Sequence, residues 1–103
     1  MPIVHLYTAN ADQAVAESAA RDLANAVAGA LGLGAGDVIV AIVPVTGVVD
    51  GAGPTGDAWP AAIIHGRRRD PVAMAAASAA AASALAASYG LDALRVWAQW
   101  CCS

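Results

Sequence analysis

Ala61-Ala62-Ile63-Ile64-His65-Gly66-Arg67-Arg68-Arg69-Asp70-Pro71 is the stretch of this chain on which its fold turns. Ala61 to His65 reads as a strand. Asp70 suits a helix N-cap and Pro71 the first helical position, so a helix is expected to run on to about Ser88 and to be closed by Gly90. A strand is expected to follow from Leu94 to Trp100, where Leu94, Val96, Ala98 and Trp100 alternate with Arg95, Trp97 and Gln99.

The same order of elements precedes that stretch. Pro2-Ile3-Val4-His5 matches Ala62-Ile63-Ile64-His65, and strand Ile3 to Tyr7 leads to an expected helix from about Asp12 to Leu31. Val15, Leu23, Val27 and Leu31 recur on one side of that helix, and Gly32 and Gly34 supply its stop. Val38 to Val43 is apolar at every position, as expected of a strand buried on both faces. On this alignment His5 and His65 hold equivalent strand positions and are expected to share a structural duty near an interface. The expectation is therefore an α+β fold in a single domain, 1–103, built of two β-α-β units: repeat one over about 2–43, a connector over 44–60, and repeat two over about 61–100.

Right-handed crossovers would place both helices on one face of a four-stranded sheet. The other face, carrying Ile39, Ala41 and Val43, is apolar as well and needs a partner, which a closed ring of subunits with sheets facing inward would supply. The connector from Pro44 to Trp59 holds Gly47, Gly51, Gly53 and Gly56; it reads either as a lid or as a plain connection with one tight turn at Asp50-Gly51.

Composition narrows the chemistry. The 103 residues are 59% hydrophobic and 13% charged, with a net charge of -3, which argues against a nucleic-acid partner and for self-association. All five cations are arginine, so Schiff-base chemistry on lysine and a Walker-type phosphate loop are excluded, and the Gly51 to Gly56 stretch is no phosphate cradle. Cys101 and Cys102 are adjacent, a spacing that suits neither zinc nor a disulfide framework, and they read as reduced tail residues. No metal site is expected. No basic segment precedes an apolar one at the amino terminus, so a cytoplasmic protein is expected. The uncharged run Val72 to Tyr89 is alanine and serine rather than leucine and isoleucine, which argues against a membrane span. Ser18, Ser78, Ser83 and Ser88 lie on helices without a neighbouring base, so no serine nucleophile is expected.

Three sets of residues remain. A small second residue favours removal of Met1, which would leave Pro2 as a free secondary amine on a rigid apolar element. An α-amino group titrates near about pH 8 and apolar surroundings lower it, so this nitrogen is suited to act as a general base near neutrality. If Met1 stays, the nitrogen is an amide and Pro2 merely begins an edge strand. Arg67, Arg68 and Arg69 stand between a strand end and a helix start, where free N–H groups and the helix dipole already favour anions, and together they suit a carboxylate or phosphate. Trp97 and Trp100 are candidates to wall a small apolar pocket beside Pro2.

An amino-terminal proline, a duplicated β-α-β unit and arginines at the second helix start resemble the tautomerase superfamily, over nearly the whole chain. The resemblance implies a homotrimer, no cofactor, and an isomerase that moves a proton alpha to the carbonyl of a small 2-oxo or 2-hydroxy carboxylic acid. Pro2 would be the base and Arg69 would hold the carboxylate, with Arg67 or Arg68 assisting and Trp97 or Trp100 excluding water. Ile64-His65-Gly66-Arg67-Arg68-Arg69-Asp70 looks most like the corresponding stretch of cis-3-chloroacrylic acid dehalogenase relatives, and Arg69 matches their substrate-binding arginine. The chain departs from them at Val72, where they carry a second arginine, at Ala30, where they carry a histidine, and in stopping at Ser103, before their extension with a tyrosine and a glutamate. Two further readings follow from the same residues: an inactive trimeric scaffold or anion-binding protein that keeps Met1, and a hydratase or dehalogenase-like activity on a 3-substituted acrylate.

Overall fold

The computed structural model describes residues 1–9, 12–55 and 59–102. In chain order it contains β1 (Ile3–Thr8), α1 (Gln13–Leu31), β2 (Ile39–Pro44), β3 (Val49–Asp50), β4 (Gly53–Pro54), β5 (Ala61–Gly66), α2 (Pro71–Tyr89) and β6 (Trp97–Cys102), with short 3-10 turns at Ala35–Asp37 and Ala93–Arg95. The main sheet has the order β2-β1-β5-β6. β1 pairs with β2 and β5 with β6 in parallel, whereas β1 and β5 meet antiparallel, with Ile3 opposite His65 and His5 opposite Ile63. Each β-α-β unit is thus one parallel pair with its crossover helix, and the two join back to back through the central strands. The α+β fold with two helices over a four-stranded sheet is the one the repeat pattern predicts.

The repeat itself has a different period from the one read off the apolar runs. Ile3 and Ala61, Gln13 and Pro71, Ala35 and Ala93, and Ile39 and Trp97 open corresponding elements, each pair 58 positions apart. His5 therefore corresponds to Ile63, and His65 to Tyr7. The two histidines are not equivalent; they meet diagonally across the β1–β5 pair with ring centroids 4.6 Å apart. The same spacing makes Pro60 the counterpart of Pro2. Other boundaries move too: the last strand is Trp97–Cys102 rather than Leu94 to Trp100, because Asp92 caps a 3-10 turn by accepting from the Leu94 N–H at 2.9 Å. Cys101 and Cys102 are strand residues, not a tail.

Local signals explain the helices. The Asp12 carboxylate accepts from Ala14 N at 2.9 Å and Val15 N at 3.4 Å, and that of Asp70 from Val72 N at 2.7 Å. Both helices end at a glycine in the left-handed region, Gly32 (φ 69°) and Gly90 (φ 64°), with Leu33 N donating to Ala28 O and Leu91 N to Ala86 O, each at 2.9 Å. These are the six-to-one bonds of a Schellman stop, which an L-residue with a Cβ would strain.

Side-chain alternation then builds the core. Val4, Leu6 and Thr8 of β1 and Ala62, Ile64 and Gly66 of β5 are buried beneath the helices. Val4, Leu6, Ala62 and Ile64 form one core with Ala19, Leu23, Val27 and Ala28 of α1 and Ala77, Ala81 and Leu85 of α2. Each fully buried leucine or isoleucine contributes about 1.5–3 kcal/mol by leaving water. α2 has the length and hydropathy to cross a membrane by composition alone, yet here it packs its alanine-lined stripe against the sheet and α1. The opposite sheet face is uncovered: Ile3, Ile39 and Trp97 are 42%, 48% and 61% exposed.

The connector contains the expected tight turn. β3 and β4 form a hairpin in which the Asp50 carboxylate accepts from Ala52 N at 2.7 Å. Gly56 of the expected connector, and Ser103, lie outside the described residues.

Leu23→Ala is expected to cost about 2–5 kcal/mol in urea unfolding. Leu94→Ala, at a position 87% exposed, should stay within about 0.5 kcal/mol. Equal losses would contradict the placement of the core.

Candidate active site

Pro2 is buried, while Met1 projects into solvent. The proline is pinned by its own carbonyl, which accepts from Ile39 N at 3.2 Å; its counterpart Pro60 accepts from Trp97 N at 3.1 Å in the same way. Proline at the start of a strand loses no ladder bond, because its missing N–H lies outside the pairing.

Register decides what lies beside Pro2. Since Ile3 faces His65, one further step sets Pro2 opposite Gly66, and Gly66 in turn pairs with Cys102. Pro2, Gly66 and Cys102 thus form a row at one end of the sheet, where β5 releases the chain into Arg67, Arg68 and Arg69 and the start of α2. The antiparallel centre is what brings the amino terminus to the arginines.

Gly66 has a specific reason to be glycine. A Cβ there would sit 2.7 Å from Cζ2 and 3.1 Å from Cη2 of Trp100, so the indole lies directly on the bare strand. The sequence gives no hint of this contact, because Gly66 and Trp100 meet only through the β5–β6 pairing. Cys102 at the end of the row places its Sγ 3.9 Å from the Met74 Sδ on the first turns of α2.

The three arginines differ in burial. Arg67 and Arg68 are exposed, whereas Arg69 is half-buried and its Nε is enclosed without a hydrogen-bond partner. Trp100 Nε1 is enclosed and unpartnered in the same manner. His65 Nε2 is the third such atom, and it belongs to the open sheet face beside His5. An enclosed donor without an acceptor costs about 1–3 kcal/mol, so the Arg69 Nε–H and the Trp100 Nε1–H are poised to gain from one.

The two candidate tryptophans are separated by the structure. Trp100 lies on the helix-covered side near Gly66. Trp97 begins β6 opposite Ala61, at the far end of the strand, and stands on the open face with its Nε1 donating to the Gln99 side-chain oxygen at 3.3 Å. Within one subunit only Trp100 shares the Pro2 end. A cleft of about 290 Å³ lies elsewhere, between the first half of α1 and the last turn of α2, lined by Ala14, Val15, Ser18, Ala19, Asp22 and Ser88. It is remote from the strand end that carries Pro2, and across it Ser88 Oγ donates to Asp22 at 3.2 Å.

No family model and no curated protein sequence matches the chain. Solved structures do. Fused 4-OT wild type R7, an asymmetric trimer, superposes with a TM-score of 0.88 at 17% identity over 98% of this chain and 85% of that one. Pt0534 inactivated by 2-oxo-3-pentynoate gives 0.86 at 12% identity over 98% and 85%. Macrophage migration inhibitory factor from Toxoplasma gondii gives 0.71 at 20% identity over 98% and 89%. The fold is accordingly that of the tautomerase structures.

Gly66→Ala should drive the Trp100 indole off β5 and cost about 1–3 kcal/mol by overpacking. The check is the Trp100 indole N–H resonance together with the thermal midpoint. An unshifted resonance and an unchanged midpoint would contradict the packing.

Proposed function

We propose that the chain is a cofactor-independent tautomerase acting on a small 2-oxo or 2-hydroxy carboxylic acid, with Pro2 as general base after removal of Met1. The observation that carries this reading is that the buried Pro2 is set by register opposite Gly66, three residues before the half-buried Arg69 with its unpartnered Nε. Support comes from the shared fold, and from Pt0534, a structure of that fold inactivated by a 2-oxo acid.

In this reading the loss of Met1 turns an amide nitrogen into an amine and clears the space beside it that the Met1 carbonyl carbon fills. Pro2 nitrogen takes a proton from the carbon next to the carbonyl, the C–H electron pair becomes the enol double bond, and the carbonyl oxygen takes the negative charge. The same nitrogen returns the proton at another carbon of a conjugated acid; with a 2-hydroxy acid it takes the enol O–H proton, the oxygen re-forms the carbonyl, and the proton goes to the carbon that the enol double bond releases. Arg69 pairs with the carboxylate and fixes the substrate; Arg67 and Arg68, exposed at the approach, add positive field for an anion. Burial keeps the amine unprotonated and therefore basic.

Assembly belongs to the same proposal. Fused 4-OT of this fold is described as a trimer, and three copies of this chain closing on their open sheet faces would bury Ile3, Ile39 and Trp97. Trp97 then serves the subunit contact rather than the pocket.

Intact mass of protein from its natural source should show the chain without Met1. Pro2→Ala should lower kcat/KM on phenylenolpyruvate or 2-hydroxymuconate by about a hundredfold to ten-thousandfold. Incubation with 2-oxo-3-pentynoate, a conjugate acceptor, should add one whole reagent mass on the Pro2 peptide. Arg69→Ala should lower kcat/KM about 10- to 100-fold by removing a charged hydrogen bond, and Arg67→Ala much less. Retained Met1 would favour an inactive scaffold, and a Pro2→Ala variant with undiminished activity would remove Pro2 as the base.

A further inference from the structure

The two ends of the sheet are related by the 58-position repeat, yet they are furnished differently, and the difference isolates Trp100. At the end beside Pro60, the counterparts of Gly66 and Trp100 are Thr8 and Ile42. There Thr8 is buried and its Oγ1 accepts from the Tyr89 hydroxyl at 2.9 Å. The fold thus closes a strand end with an isoleucine. At the Pro2 end it carries an indole instead, which requires the bare Gly66 beneath it and leaves an enclosed N–H with no acceptor. Packing alone does not call for an enclosed indole N–H without an acceptor, because Ile42 fills the equivalent place without a donor.

We propose that the Trp100 Nε1–H is the donor to the oxygen on which negative charge develops during proton transfer. This rests on the tautomerase reading above. A 2-oxo acid presents a carboxylate and a neighbouring carbonyl oxygen side by side. Arg69, with its enclosed Nε, takes the carboxylate; Trp100, packed on the strand residue opposite Pro2, takes the carbonyl oxygen. When Pro2 nitrogen removes the adjacent proton, the C–H pair moves into the new carbon–carbon double bond and the carbonyl π pair onto oxygen, where the indole N–H stabilises it by a charge-assisted hydrogen bond. The indole neither gains nor loses a proton. A single donor of this kind is held rigidly by packing, so it needs no reorganisation at the moment of reaction.

Trp100→Phe keeps an aromatic ring over Gly66 and removes only the donor. It should lower kcat about a hundredfold, the cost of one such donor, with KM little changed because Arg69 still holds the carboxylate. Independently of any variant, the Trp100 indole proton of the wild-type, Met1-processed protein should move downfield on adding oxamate, which carries a carbonyl beside its carboxylate and no removable carbon-bound proton, and should not move with acetate. A Trp100→Phe enzyme within about threefold of wild-type kcat, or an indole proton that answers acetate and oxamate alike, overturns the assignment. The tautomerase reading fails separately, if Pro2→Ala leaves activity intact.

Discussion

The antiparallel pairing of β1 with β5 is the constraint from which the rest of this molecule follows. It holds Ile3 opposite His65, and so carries the amino terminus to the chain segment that follows the first strand of the other repeat. A slip of β1 by one residue against β5 would turn Val4 and Leu6 out of the core and bring His5 and Tyr7 in, so the register is strongly fixed by burial. The same register sets Pro2 against Gly66. Core packing and site geometry are therefore one requirement.

The duplicated architecture makes the asymmetry of its ends informative. Both ends have a buried proline whose carbonyl receives the first N–H of a neighbouring strand. At one end that proline is the second residue of the sequence, and there, among the described residues, the enclosed Arg69 Nε–H and Trp100 Nε1–H stand without acceptors. At the other end Trp59 acylates Pro60, and Tyr89 and Thr8 satisfy each other.

Much of this was legible in the residues. Asp12, Asp70, Gly32 and Gly90 mark the helices because capping chemistry is local, and the continuous apolar runs mark strands of a covered sheet. The period of the repeat was not legible from those runs, since short stretches of valine, isoleucine and alanine match each other at several offsets. Matching His5 to His65 gave 60, whereas prolines 2 and 60, aspartates 12 and 70 and glycines 32 and 90 all give 58. The opposite facing of Trp97 and Trp100 follows from strand alternation and their odd separation. The seat of Trp100 on Gly66 does not, because it exists only once β5 and β6 are paired.

The central claim is that the first nitrogen of the processed chain is a free amine, buried and basic, at the arginine end of the sheet. Its most direct test is a pH titration of the Pro2 nitrogen, followed by nitrogen-15 resonance in proline-labelled protein that lacks Met1. The account predicts a titration below the ordinary range of an amino-terminal amine, with the resonance responding to a bound carboxylate. A nitrogen that titrates as a solvated amine and ignores carboxylates would contradict it.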